Sequence, residues 1–445
     1  MNLGLQTAES TLRALGIVAL ALALAPPLAR LLAHTHGRLR TFVWALLPAP
    51  LLTPALLVSY AYSHLALRLM GTPGAISALY FAALTLKLVP VAALILHFVP
   101  PAISPEAVRC HALLARSRWA QWIFQLRAAG HAPWMAGGLV FLFAFTDFEL
   151  ASLWSLKTWT VALFDAQAGG LALGASLRLA ALPLGIEVAV LALILRTPAL
   201  SLSAHGSGRA PGHIARPALL AYLGGAALLA CGWPLLRVTA QAITGFRAVA
   251  ENFVLANDLA ASLAFAAGAA LGAWLLAAWI AKRRRAALVL ALPGLLGALL
   301  LALFVLTAFQ FPTLHPAYDT PLPLLLALTL LLLPFALPLR WLLDASRHIP
   351  ALHLARLADS SALVWRLDTR RRWLAAFLLF CWAYFDFTAG SILAPVGLTP
   401  VFVRLHNLAH YGQTAVLSAM FLAAFAAPVA VLLLTAPAAR WYARR

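Results

Sequence analysis

The sequence predicts an all-α integral membrane protein of about eleven transmembrane helices, arranged as five plus six. Three observations carry that expectation. Of 445 residues, 63% are hydrophobic and 10% charged, with a mean hydropathy of +0.91, whereas soluble domains run at roughly 45–50% apolar and about 25% charged. The apolar residues come in runs of about 20, the length that crosses ~30 Å of hydrocarbon. Finally, 32 basic residues against 13 acidic give a net charge of +19, and the basic residues gather in short clusters between the apolar runs. That pattern belongs to membrane orientation rather than to nucleic-acid binding.

The spans are expected near 11–33, 42–67, 76–99, 133–154, 171–195, 217–236, 258–281, 286–310, 321–343, 373–395 and 412–436. Pro54, Pro90, Pro183, Pro293, Pro334 and Pro428 fall inside them, where neighbouring helices can satisfy the freed carbonyls. The opening MNLGLQTAEST lacks the basic n-region of a cleavable signal, so the first run is expected to stay in the mature chain. Cys110, Cys231 and Cys381 are far apart, with no CxxC spacing, which indicates neither a disulfide framework nor a zinc site.

Counting Lys and Arg on alternate sides puts 24 on one side, from Arg30 through Lys282–Arg285 and Arg370–Arg372 to Arg445. The other side receives 6, namely Arg13, Arg68, Lys157, Arg237, Arg247 and Arg404, while Lys87 and Arg178 lie within spans. By the positive-inside rule the C-terminus is cytoplasmic and, with an odd number of spans, the N-terminus is outside. The expected location is a bacterial inner membrane.

The chain also repeats itself. FAFTDFELASLW around Asp147 aligns with CWAYFDFTAGSIL around Asp386 at an offset of 239, pairing Phe148 with Phe387, Ala151 with Gly390 and Ser152 with Ser391. The same offset carries Pro54 in LLTPALL onto Pro293 in LALPGLL. Each Asp-Phe follows the longest cytoplasmic loop of its half, 100–132 and 344–372. Duplication is a common origin of transporters, and the expected halves are 1–204 and 205–445, the second with one extra leading span at 217–236.

Two tandem units, each with a long cytoplasmic loop before its penultimate span, resemble the fused membrane subunit of ABC importers, closest to the iron(III) and thiamine permease group. In that family the loop carries a Glu-Ala-Ala motif, a Gly six residues on, and a Leu-Pro pair. Here PEAVRCHALLARSRWAQWIFQLRAAGHAPWMAGGLVF occupies 105–141: Arg109 falls where the motif Glu belongs, Ala115 replaces the Gly, and the Leu-Pro is absent. LARLADSSALVWRLDTRRRW at 354–373 departs further. ESTLRALGIVALALA at 9–23 and NDLAASLAFAAGAALG at 257–272 resemble the family's Asn-Ser-Leu opening of each core.

The resemblance implies ATPase-coupling loops containing Glu106, Ala115, Arg116, Ser117, Arg118, Ala358, Asp359 and Ser360. It implies two copies of a separate ABC ATPase and a periplasmic or extracellular solute-binding protein docking on external charges such as Lys157, Arg247, Asp319 and Arg404. No catalytic residue, cofactor or metal is expected in this chain: its lysines, Lys87, Lys157 and Lys282, do not follow a Gly, so there is no GxxxxGK[ST] phosphate loop, and ATP is hydrolysed by the partner.

Asp147, Glu149, Glu187 and Asp386 place ionisable groups inside spans, which costs a few kcal/mol on insertion scales and marks a cavity or a partner. One reading has Asp147, Glu149, Ser152, Asp386 and Ser391 lining a translocation path. The other makes the two aspartates structural groups that cap or bond a neighbouring helix; Glu187 is read as structural. Among the external residues, His406, Asn407 and His410 could ligate a metal, His406 and His410 at i and i+4 sharing a helical face, but without a third spaced ligand the signal is weak.

Other classes are weaker. A secondary transporter built from inverted repeats would place equivalent loops on opposite sides, whereas here they share one side. A lipid-donor glycosyltransferase would want an early external acidic pair, and only Glu9 is present. A non-transporting structural or regulatory subunit fits the departures in the coupling loops. The substrate is not specified by any residue pattern.

Overall fold

The computed structural model describes residues 3–99, 102–103, 105–114, 117–195, 215–247, 249, 255–345, 349–358, 360–409 and 414–442. Among them the chain is helical, with no strand. Lipid offers the backbone no hydrogen-bond partner, and a helix satisfies its own amides and carbonyls within one segment. Seven helices are long and apolar enough to cross a membrane, and three more pairs reach that length only across a bend of more than 40°. The chain is a multi-pass membrane protein. It divides into two compact units, Met1–Pro234 and Leu235–Arg445; the boundary expected at 204 lies outside the described residues.

The first unit opens with α1 (Leu3–His34). After it, α2 (Gly37–Leu46) and α3 (Ala49–Leu52) meet α4 (Ala55–Leu69) at 73°. Thr53, just before Pro54, is extended at ψ 123°, as the proline ring demands of its predecessor. α5 (Pro73–Phe98) runs unbroken through Pro90. The short helices α6 (Pro105–Leu114) and α7 (Arg118–Ala129) pack on each other through a His111–Phe124 ring stack at 3.8 Å. Then come α8 (Ala132–Phe145), α9 (Glu149–Leu153), α10 (Trp159–Ala168), and α11 (Leu173–Leu179) with α12 (Ala181–Leu195) bent by 53°. Pro183 sits in the first turn of α12, where its missing N–H costs nothing. α13 (Ala215–Ala227) packs on α1, α2 and α3 and runs into a π turn at Leu228–Gly232, where the Leu229 carbonyl accepts the Tyr62 hydroxyl at 2.8 Å.

α1, α5 and α8 pack on one another. Ala14, Ile17, Ala21, Ala25 and Leu28 form the buried stripe of α1, and alanines at that spacing let helix backbones approach closely. A Cβ on Gly16 would lie 2.9 Å from Phe81, and one on Gly137 would lie 3.3 Å from Leu22.

The second unit opens within α14 (Trp233–Ala242) and continues with α15 (Leu255–Ile280). α16 (Arg284–Leu295) and α17 (Gly297–Phe309) meet at 98°. Gly297 takes φ +82° there, a left-handed conformation that suits glycine after a helix end. α18 (Leu322–Ala345) is unbroken through Pro334 and Pro338. The short α19 (Ile349–Leu357) and α20 (Ser361–Val364) lead through a π turn at Trp365–Thr369 into α21 (Arg370–Phe385), followed by α22 (Thr388–Leu393), α23 (Val401–Ala409) and α24 (Ala415–Tyr442). With 16 residues, α21 covers about 24 Å at 1.5 Å per residue, less than the hydrocarbon thickness.

α15, α18 and α21 pack on one another. Ala266, Ala269, Ala273 and Ala277 are fully buried, and Gly268 and Gly272, four apart, would put a Cβ within 3.0 Å of Leu325 and of Thr329 Oγ1. This is the close packing that a small-xxx-small stripe permits. Each unit thus has a trio of packed helices with a bent pair after the first member and short helices before the last. Of the six span prolines, Pro54, Pro183 and Pro293 lie at or beside the bends, while Pro90, Pro334 and Pro428 sit inside continuous helices.

Candidate functional site

In each unit the last helix of the trio stops at the Asp-Phe pair. The first break falls within the apolar stretch Ala132–Leu153, long enough to cross a membrane, whereas the span expected at 373–395 does not reach that length and apolarity as a continuous or bent helix. α8 ends at Phe145 and α9 begins at Glu149; α21 ends at Phe385 and α22 begins at Thr388. A new helix N-terminus presents amides without intrahelical partners, and the aspartate beside it answers that need. Asp147 Oδ2 accepts the Ala151 amide at 3.3 Å, and Asp386 Oδ2 accepts the Ala389 amide at 3.0 Å. A side-chain cap of this kind is worth about 1 kcal/mol. Ser152 and Ser391 also occupy matching positions: each hydroxyl donates three residues back, to the Glu149 carbonyl at 3.0 Å and the Thr388 carbonyl at 2.8 Å. Glu149 lies in the first turn of α9 and is part-buried.

The phenylalanines lock the breaks. Phe148 and Phe387 are buried, the former against Phe164 of α10 at 4.7 Å and the latter against His406 of α23 at 4.4 Å. In the first unit, the Trp159 indole N–H donates to the Phe145 carbonyl at 2.8 Å and the Thr160 hydroxyl donates to the Asp147 carbonyl at 2.9 Å, so α10 supplies the donors that the broken helix lacks. The first helix of each trio clasps the start of the second short helix after the break, α10 or α23. Ser10 Oγ accepts the Trp159 amide at 3.5 Å, while Ser262 Oγ accepts the Val401 amide at 2.6 Å.

No known family, curated protein or solved structure matches this chain. Its chemistry must be read from the breaks themselves, and their charged surroundings differ. Asp147 accepts the Tyr80 hydroxyl and feels the charge of Lys87, both on α5. Asp386 instead borders a cavity of about 10 Å³ lined by Ser262, Tyr384, Gly390 and Pro400 among others, room for about one water. At the clasp, Arg13 pairs with Glu9 at 2.9 Å and donates to the Lys157 carbonyl at 3.3 Å, whereas Arg404 pairs with buried Asp258 through a bond of 3.1 Å and a closer one. Asp258 is a buried member of the first turn of α15, its carboxylate met by the Arg404 cation.

The remaining expected site residues are spread out. Glu106 is exposed in the first turn of α6, and Ser117 caps α7 by accepting the Ala120 amide at 3.1 Å; Arg118 opens α7. Ala358 is exposed after α19, and Ser360 donates its amide to Ala355 O at 3.0 Å. Ala115, Arg116 and Asp359 lie outside the described residues. Lys157, Arg247, Asp319 and Arg404 are all exposed. Among the described residues there is no group of three or more potential metal ligands; His406 packs on Phe387, and His410 lies outside them. Sequence reasoning missed Ser10, Ser262, Tyr80, Trp159 and Thr160. The two serines stand in the stretches that open each core, Ser10 directly after Glu9 and Ser262 one helical turn after Asp258, and that placement is the available signal.

Proposed function

We propose that this chain is the membrane permease of an ABC importer, with two tandem halves in one polypeptide passing a solute delivered by a binding protein and driven by two copies of a separate ATPase. The observation that carries the reading is the shared order of the two units: packed trio, bent pair, short helices, then a span broken at Asp-Phe and capped by that aspartate. The short helices add support. Leu113 and Leu114 of α6 are 87% and 80% exposed, and Leu354 and Leu357 of α19 are also exposed. Helices between spans that hold apolar side chains in water suit a surface covered by a partner. The positive-inside count puts these helices on the cytoplasmic face, where an ATPase would sit.

The test uses the chain purified from its native membranes. An ATPase at two copies per chain is expected to accompany it, with hydrolysis stimulated by the complex. Arg116→Glu and Arg118→Glu together with Arg370→Glu, Arg371→Glu and Arg372→Glu should release or uncouple that ATPase while the chain stays inserted. An ATPase that still accompanies the altered chain at full stimulation overturns the reading. The orientation has its own check: a thiol placed at Glu9 or His315 should label from outside intact cells, and one at Arg284 should not.

A further inference from the structure

A groove of about 560 Å³ runs between α1, α8 and α12 in the first unit. Thr11, Leu15, Val18 and Leu22 of α1 form one wall, Pro133 to Phe141 of α8 the floor, and Val190, Leu193 and Ile194 of α12 the other wall. A Cβ on Gly137 would meet Val18 and Leu22, and one on Gly138 would meet Ile194 at 2.8 Å. Two adjacent glycines thus deepen the floor. The rim residues Leu15, Trp134 and Leu193 are exposed, Trp134 by 78%, so the groove opens outward from the chain.

We propose that this groove holds one acyl chain of an anionic phospholipid from the surrounding bilayer, with the lipid phosphate at its His131 end. Four features fit that occupant. The lining is apolar apart from Thr11 and His131, so it cannot hold ordered water, which needs two to four polar partners. From Thr11 to Leu22 it extends about 16 Å at 1.5 Å per residue, which is half of a ~30 Å hydrocarbon core, the depth of one leaflet. Its end is basic: His131 lines it, and the exposed Arg127 precedes it by one turn. That turn is held in place by the Gly130 amide on the Arg127 carbonyl at 3.1 Å and by the Ala102 amide on the Ala128 carbonyl at 2.9 Å. Lastly, exposed Trp134 lies next to His131, where an indole sits at headgroup level in membrane proteins.

The experiment places the full chain in nanodiscs of phosphatidylcholine with a small fraction of phosphatidylglycerol whose acyl chain carries a diazirine, and maps the crosslinks by peptide mass spectrometry. Labelling is expected on residues 11–22, 133–141 and 190–194 at several times the level on the exposed Leu271, Leu275 and Trp279 of α15. Leu15→Trp, or Leu193→Trp if the first variant fails to insert, should fill the groove and remove that excess. The same probe on phosphatidylcholine should label the groove about fivefold less, the preference that one basic residue confers at an anionic surface, and Arg127→Glu should abolish the difference. Equal labelling of the groove and α15 shows ordinary annular lipid and overturns the site. Unchanged labelling in both tryptophan variants does the same, and equal labelling by the two lipids overturns the anionic headgroup.

Discussion

The Asp-Phe break occurs twice, and the two copies agree in one respect and differ in another. Backbone duties are shared: the aspartate caps the following short helix, the serine donates three residues back, and the phenylalanine is buried on the next short helix. Electrostatic surroundings are not shared. Asp147 has Tyr80 and Lys87, whereas Asp386 faces a water-sized cavity. At the clasp the second unit buries the carboxylate of its ion pair, Asp258 being 8% exposed, whereas the first leaves its carboxylate, Glu9, 46% exposed. What recurs is therefore the architecture of the break, while the charges around it have been free to diverge.

The largest expected effect tests what the copies share. Phe148→Ala and Phe387→Ala should each destabilise by about 3–5 kcal/mol, the usual cost of removing a buried phenylalanine, and the two values should agree; a melting curve in detergent for each variant measures this. A loss confined to one unit would break the equivalence. Next comes the clasp. Arg404→Ala strands the buried Asp258 carboxylate and should cost about 2 kcal/mol, below the roughly 3–5 kcal/mol of a fully buried pair because Arg404 is half exposed. Arg13→Ala frees only a surface pair and should cost about 0.5 kcal/mol or less.

The aspartates sharpen the comparison further. Asp386→Asn keeps an oxygen for the Ala389 amide and loses no nearby cation, so its melting temperature should hold. Asp147→Asn weakens the bond from the Tyr80 hydroxyl and gives up the attraction of Lys87, so its melting temperature should fall further than that of Asp386→Asn. Uptake into reconstituted vesicles, followed beside the melts, separates path from scaffold: transport that falls while stability holds marks a lining residue, and full uptake by the double variant removes both from the path. The smallest effect is at the serines. Ser262→Ala should cost about 1 kcal/mol and Ser10→Ala less, since its bond is 3.5 Å long.

The sequence made some of this legible. Asp147, Asp386, Ser152 and Ser391 align without gaps, and the structure gives each pair the same bonds. The breaks themselves were hidden inside the spans expected at 133–154 and 373–395, because neither carries a proline or glycine at the stopping point and a hydropathy window averages across the three non-helical residues of the first and the two of the second. Where a proline or glycine does stand, the outcome still depends on its neighbours: the chain bends after Thr53 and at Gly297 but runs straight through Pro90 and Pro334. Ser10 and Trp159 meet across 149 residues, a separation at which no periodicity in the sequence can announce the contact. Tyr80 escaped notice because an aromatic residue in an apolar run looks like packing until its hydroxyl is seen on a carboxylate.

The donors at the first break also bear on how the chain is made. The Phe145 carbonyl at the end of α8 and the Asp147 carbonyl just beyond it accept from Trp159 and Thr160, which follow them by 14 and 13 residues. A ribosome adding roughly 5–20 residues each second delivers those donors about a second after α8 is complete, and until then lipid offers the two carbonyls nothing. The stretch from Ala132 to Ala168 is therefore expected to enter the bilayer as one unit. A nascent chain arrested just before Trp159 would keep α8 beside the insertion machinery.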